Sequence, residues 1–339
     1  MRNSSINKIY RAVEKFNLDL SGLNVLTEAA TGSYSVTPVI ASIAGAHVYA
    51  YSKDSHYGTF EEVEKQTYSL AEKCNVKKRV EVIDSLGKVD LSSVNILTNT
   101  GFLRPVTTAL ISQLSSGCVI PYMFEPWEFR KADIDLEACR KKGIKVYGTN
   151  EEDERLKTFQ YIGYTVLYFL LKKKLTPFSA KILVIGNDKF IKPIAEVLSN
   201  NQYSFDLVEE YSKKPEPGRY NTIIIAERQR EKCIIGPGED CFMNSKHIHE
   251  DMFVFHIAGR VDFTDLKADY VPKEPAPFGY MSFNTDFIDS GAVTDLHTAG
   301  LKVGEGMLQA LKKGLKKRKA KEFIENNYPA LAFDDPGLW

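Results

Sequence analysis

The residues best placed to do chemistry lie in the last quarter of the chain. They are a carboxylate at Glu274, followed by Pro275, and an imidazole at His297 within Val293-Thr294-Asp295-Leu296-His297-Thr298-Ala299-Gly300. The chain has only six histidines. An imidazole oriented by a carboxylate is the standard unit of general acid–base catalysis, because it changes charge near neutral pH and can trade a proton with a substrate oxygen. Val293-Thr294 reads as a strand end and Thr298-Ala299-Gly300 as the opening of a long amphipathic helix, which predicts His297 at a strand-to-helix junction. The residues also admit plainer readings. His297 could cap the last helix, Glu274 could be an exposed loop acid, and Arg260 could pair with Asp262 or Asp265 on the surface.

The elements that must hold these groups alternate between β-rich runs and helical patterns, the signature of parallel α/β architecture. Strands are predicted at 23–27, 47–51, 80–84, 94–98, 119–120 and 144–147. Helices are predicted from 37, with Pro38 in the first turn, and at 60–74, 106–114 and 135–142, the last closed by Gly143. A long helical segment over 151–174 ends in Lys172-Lys173-Lys174, cations that suit a helix C-terminus. A second α/β unit then opens with a strand at 180–186 and a helix at 191–198. Strands follow at 205–209, 222–226 and 253–257. The pattern predicts two Rossmann-like, doubly wound parallel-sheet domains. Tyr34, Lys53 and Asp54 fall in loops at strand ends and are candidates for lining a cleft.

Composition removes several functional classes. Lys plus Arg and Asp plus Glu are 44 each, so no global field draws the chain to nucleic acid or an anionic membrane surface. The basic run 312–321 reads as a solvated helix face. The longest nearly apolar stretch, 161–171, is too short to span a bilayer. The first residues, MRNSSINKIY, carry no apolar signal core. Five cysteines without a CxxC pair suggest free thiols in a reducing compartment, so a cytoplasmic protein without structural zinc is expected. His247 and His249, an i, i+2 pair, meet on one face only in a strand, and no metal site is expected from them.

Four stretches taken in order resemble the NAD-dependent D-2-hydroxyacid dehydrogenase family. Ile134-Asp135-Leu136-Glu137-Ala138-Cys139-Arg140-Lys141-Lys142-Gly143-Ile144-Lys145-Val146 is similar to the family's "IDLEAAKERGIKV" segment. Ala258-Gly259-Arg260-Val261-Asp262 resembles "ARGxxVD", Glu274-Pro275 resembles "EP", and Thr294 to Gly300 resembles "TPHIAG". The resemblance covers roughly residues 90–315. It implies a substrate domain at 1–152 and 287–339 and a dinucleotide-binding domain at 153–286. It also implies a homodimer, a small 2-oxo or 2-hydroxy acid as substrate, and NAD or NADP as cofactor. Arg260 would hold the substrate carboxylate, His297 would act as acid or base, and Glu274 would orient the imidazole and raise its pKa.

Gly186, Asn187, Asp188 and Lys189 align with the family's phosphate loop, G-x-G-x-x-G, and Glu209 or Glu210 falls where an acid meets the ribose. Asp188 and Ile191 stand where the family has its second and third glycines. Asn99 and Thr100, after the fourth strand, and Glu125, in Phe124-Glu125-Pro126 where the family has "GVG", are the expected substrate contacts. The segment between Arg260 and Glu274 is short, so the family's strand and helix there are expected to be trimmed. The first ninety residues are instead loosely similar to the opening βαβ of a class I methyltransferase, with Thr31-Gly32-Ser33 in the turn. That similarity implies an alternative, an adenosyl- or nucleotide-binding group-transfer enzyme. A further alternative is a non-catalytic relative that has lost its cofactor.

Overall fold

The computed structural model describes residues 4–338 apart from 187, 213, 285, 286 and 335. The chain forms two compact units, one of Met1–Leu156 with Ser290–Trp339 and one of Lys157–Asp289. The sequence reading sets these borders at 152 and 286.

In chain order, the first unit begins with α1 (Ser4–Lys15), β1 (Asn24–Glu28), α2 (Thr37–Ile43), β2 (His47–Tyr51), α3 (Phe60–Lys73) and β3 (Val80–Ile83). It continues with β4 (Ile96–Leu97), α4 (Thr108–Gln113), β5 (Val119–Tyr122), α5 (Leu136–Lys142) and β6 (Lys145–Thr149). The second unit holds α6 (Thr158–Lys172), β7 (Lys181–Gly186), α7 (Asp188–Asn200), β8 (Ser204–Val208) and β9 (Thr222–Ala226). It ends with β10 (Ile235–Gly236), β11 (Met243–Asn244), β12 (Phe253–Ala258) and β13 (Asp269–Val271). The chain then returns to the first unit with α8 (Gly291–Lys312), α9 (Lys317–Asn327) and β14 (Ala330–Leu331).

The first unit's sheet runs β14-β6-β5-β4-β1-β2-β3, parallel except for β14, which pairs antiparallel with β6. Alternate residues of each strand enter opposite cores. Val25, Val48, Ile96 and Val119 pack on one face, and Leu26, Leu97, Ile120 and Val146 on the other. The chain winds outward from β1 to β3, then restarts at β4 and winds the other way. The reversal falls between β1 and β4, and sheets of this kind bind ligands at the carboxyl ends of strands beside such a reversal. The second unit's main sheet runs β13-β12-β9-β7-β8, all parallel, with its reversal between β7 and β9.

Four sequence expectations need correction. Val293-Thr294 is not a strand end, because α8 starts at Gly291 and His297 lies inside it. The hydroxyls are absorbed by the helix itself. Thr294 Oγ1 donates to Ser290 O at 2.9 Å and Thr298 Oγ1 to Thr294 O at 2.7 Å, which lets β-branched residues sit in helical turns. Residues 151–157 are not helical; Arg155 forks onto the Asp153 carboxylate there, with both bonds at 2.7 Å. Helix α7 begins at Asp188 rather than near 191, so only residue 187 separates it from β7. Between Arg260 and Glu274 the strand is retained, as β13 pairs with β12, while no helix occurs there among the described residues.

Candidate active site

At the reversal in the first unit, Glu28 closes β1 and leans on the turn Gly101–Leu103 that follows β4. Its carboxyl accepts from the Phe102 N–H. A Cβ at Gly101 would stand 1.4 Å from Glu28 Oε1, so the carboxyl fills the space a side chain would need, and Gly101 has φ +45°. Burial pushes the Glu28 carboxyl up to about 7, against the pull of the Phe102 N–H and of Arg104. Beneath it, Thr27 Oγ1 and Thr98 Oγ1 lie 2.8 Å apart, and Thr98 and Thr100 Oγ1 3.0 Å apart. Asn99 is fully buried; its Oδ1 accepts from Met123 N at 2.8 Å, while its Nδ2 has no partner among the described residues. Lys53 Nζ stands 5.0 Å from the centre of the Phe102 ring.

One of the first unit's two carboxyls pushed up to about 7 sits here, and such groups mark functional sites. Asn99, Thr100 and Lys53, expected from loop position, are brought together here. Glu28, Gly101 and Arg104 were not expected as site residues. Asp54, also a cleft candidate, instead accepts from Phe60 N at 2.8 Å at the start of α3.

A carboxyl whose pKa rises on folding contributes stability that is complete below its unfolded value near 4.5. That contribution is lost as pH rises through about 7. Glu28→Gln is therefore expected to match the parent protein at pH 5 and to exceed it at pH 8 by on the order of 2–3 kcal/mol. Urea melts at the two pH values measure this; an equal effect at both would contradict the raised pKa.

Glu125, expected to touch substrate, is 1% exposed and engaged locally. Its Oε2 accepts from Trp127 Nε1 at 2.5 Å and its Oε1 from Glu151 N at 3.2 Å. Burial, and then the charge of Glu125, push the neighbouring Glu128 up to about 7.

His297 is 3% exposed within α8. Its Nδ1 lies 2.5 Å from Thr37 Oγ1 at the start of α2, and its ring centre 5.7 Å from that of Tyr34. Burial lowers the imidazole to about 4, the opposite direction from the raised pKa that an adjacent Glu274 implies. Glu274 and Arg260 belong to the second unit, and both are exposed. Arg260 follows β12, and its Nη1 donates to Glu231 O at 3.3 Å rather than to Asp262 or Asp265.

The second unit's reversal brings Gly186 beside β9. A Cβ at Gly186 would lie 2.1 Å from Ala226 O and 2.6 Å from Ala226 C. Asn187 lies outside the described residues, and α7 opens at Asp188. Backbone N–H groups at a helix start beside a strand end suit a phosphate. Lys189 Nζ is 5.2 Å from the centre of the Phe159 ring, Ile191 is buried, and Glu209 and Glu210 are exposed just after β8.

Glu227, missed in the sequence, is fully buried after β9. It accepts from Tyr211 Oη and Gln229 N, both at 2.7 Å, and from Arg230 N at 3.1 Å. Its only sequence signal was its place at the end of an apolar strand. Among the described residues no group of His, Cys, Asp and Glu could hold a metal ion, and no helix is long and apolar enough to cross a membrane.

No protein-family profile matches the chain, and no curated protein sequence matches it. Solved structures do. A dipicolinate synthase subunit from Bacillus halodurans is similar at TM-score 0.54 and 12% identity, over 86% of this chain and 99% of that one. Dipicolinate synthase from Bacillus subtilis gives 0.49 and 12%, over 88% and 98%. D-lactate dehydrogenase with NAD+ from Lactobacillus jensenii gives 0.47 and 10%, over 88% and 99%. With two mostly parallel α/β sheets, each reversing direction beside its first strand, the chain has the doubly wound, Rossmann-like fold of the Bacillus halodurans protein.

Proposed function

We propose that the protein is an NAD(P)-linked oxidoreductase that interconverts a small 2-hydroxy acid and its 2-oxo acid. The observation that carries this reading is the turn at Gly186. In a doubly wound fold it joins β7, the strand beside the reversal, to a helix through a single residue, and it packs so closely on Ala226 that no side chain fits. The cofactor's diphosphate would lie against the N–H groups that open α7, with Lys189 adding charge and Glu209 or Glu210 meeting the ribose hydroxyls. The sequence has an aspartate at 188 where the family has a glycine, and its negative charge would weaken the site. The nicotinamide would give or take the hydride.

Arg260 would hold the substrate carboxylate, Glu274 would orient the imidazole, and His297 would exchange the proton of the substrate hydroxyl. Asn99 and Thr100 would complete the substrate side. A neutral imidazole accepts protons rather than donating them, so near pH 7 this assignment favours oxidation of the hydroxy acid. Tyr164, Tyr168 and Leu171 form an exposed stripe at i, i+4 and i+7 of α6, which a second copy would cover in a homodimer. The free thiols agree with a cytoplasmic protein.

The test is the absorbance of reduced nicotinamide, followed while NAD or NADP and a panel of 2-hydroxy acids are mixed with the full chain. Turnover should appear and should fall about 10²- to 10⁴-fold in His297→Leu. Undiminished turnover in that variant would remove His297 from the mechanism.

A second reading places a nucleotide or adenosyl group in the first unit. One observation favours it. The Gly32 turn opens on a crevice of about 710 Å³ whose lining includes Ser5, Ser33, Lys65, Ser69 and Lys73. Stabilisation by S-adenosylmethionine without stabilisation by NADH or NADPH would favour that reading. A relative that has lost its cofactor would respond to none of the three.

A further inference from the structure

The second unit holds two cysteines that the proposed chemistry does not use. Strands β10 and β11 pair in parallel, with Ile235 opposite Met243 and Gly236 opposite Asn244. The pairing continues backward, as Met243 N donates to Ile234 O at 2.8 Å and Phe242 N to Cys233 O at 3.0 Å. The same register sets Cys233 opposite Cys241. Adjacent strands run about 4.8 Å apart. A disulfide needs Cα atoms about 4.4–6.8 Å apart with side chains on a common side. The side chains do meet. A Cβ built on Gly236 would lie 2.9 Å from Cys241 Sγ and 3.0 Å from Cys233 Sγ, so both sulfurs border the one empty space that this glycine leaves. Cys233 Sγ donates to Ile235 O at 3.1 Å, which holds its sulfur over β10. Cys233 is partly exposed and Cys241 buried, which gives one sulfur that a reagent can reach and one that waits behind it.

We propose that Cys233 and Cys241 are a reversible dithiol–disulfide pair, oxidised by small disulfides of the glutathione type. The Cys233 thiolate attacks the disulfide of the oxidant, forms a mixed disulfide and expels one glutathione thiolate. The Cys241 thiolate then attacks the Cys233 sulfur, forms the internal disulfide and expels the second. The protein loses two electrons and two protons, and one oxidised glutathione becomes two reduced ones. The oxidised bond would pin β10 to β11. Next to β10, Ile234 N donates to Arg260 O at 2.8 Å and Asp262 N to Ile235 O at 2.8 Å, so the pinned strand is the one that frames Arg260.

Burial, with the neighbouring Cys241 adding to it, raises the Cys233 thiol to about 12. Its reactive thiolate is therefore scarce near neutral pH, and the oxidation rate should climb about tenfold per pH unit between 7 and 9. The test incubates the full chain with oxidised glutathione, quenches in denaturant with an alkylating reagent, and maps the peptides by mass. The expected result is one linkage, Cys233 to Cys241, with a mass loss of two hydrogens and full reversal by dithiothreitol. Cys74, Cys118 and Cys139, all buried, should be alkylated as free thiols. In Cys241→Ser the reaction should stop as a glutathione adduct on Cys233. Five alkylated cysteines after prolonged oxidation at pH 9 would overturn the proposal, as would a glutathione adduct on Cys233 that persists in the parent protein.

Discussion

Gly186→Ala is expected to unfold the second unit while leaving the first intact. The glycine ends β7 where that strand runs beside β9, in a register that sets Gly186 opposite Ala226. The added methyl would meet the Ala226 carbonyl oxygen at 2.1 Å and its carbon at 2.6 Å. Both contacts are with backbone, so no rotamer change relieves them. The strand pair itself must part, in the middle of a sheet whose Ile182, Val184, Ile223, Ile224 and Ile225 are buried almost completely. Overpacking costs about 1–3 kcal/mol where side chains can give way and more where only backbone can move, a large share of the stability of a domain this size. Trp127 falls in the first unit and the second, Lys157–Asp289, contains no tryptophan, so the loss can be located. Circular dichroism should lose the second unit's melting transition while tryptophan fluorescence keeps its own. A melting curve unchanged by the substitution would show that the strands do not meet as described.

His297→Leu is expected to make the first unit more resistant to acid than the parent protein. The imidazole is buried, and its pKa falls from an ordinary 6.5 to about 4 on folding. The unfolded chain therefore takes up a proton near pH 6.5 that the folded chain refuses until about pH 4. The stability owed to the neutral buried ring is present above 6.5 and lost as pH falls through that window, amounting to about 3 kcal/mol at its lower end.

At pH 7.5 the leucine variant should be weaker by about 1 kcal/mol, because Thr37 Oγ1 loses its partner. At pH 4.5 the order should reverse. His256 in the second unit is also shifted downward by burial and keeps its own acid sensitivity, so tryptophan fluorescence of the first unit is the proper signal. Parallel stability curves for the two proteins between pH 4 and 7.5 would mean that the ring titrates normally.

How much of this was readable in the sequence depended on the range of the forces involved. Strands β1, β2, β7, β9 and β12 announce themselves through short runs dominated by β-branched and apolar residues, because both faces of a parallel sheet are covered. The Asp135 cap and the Gly143 stop of α5 are equally local; Ala138 N donates to Asp135 Oδ1 at 2.9 Å and Gly143 has φ +81°.

The start of α8 was misread because Val293 and Thr294 carry strand propensity, which burial against the first unit's sheet and back-bonded hydroxyls override. Strand β14 is two residues long and is held as a strand only by Thr149 and Gly148 of β6. Glu28 could be placed at a strand end but not recognised. Its raised pKa comes from Gly101, Phe102 and Arg104, which reach it through the fold rather than through the chain. The pairing of Cys233 with Cys241 escaped for a related reason, as their spacing matches no motif and only the register of β10 and β11 aligns them.

The proposed function requires a nicotinamide dinucleotide seated where β7 hands over to α7. Calorimetric titration of NADH and NADPH into the full chain tests this most directly, with Asp188→Gly beside the parent protein. One saturable site per chain is predicted for at least one of the two nucleotides. The variant should bind about fivefold more tightly, since removing a carboxylate from beside a diphosphate gains ~1 kcal/mol. No binding of either nucleotide by either protein up to about millimolar concentration, near the ordinary upper limit of such affinities, would contradict the account.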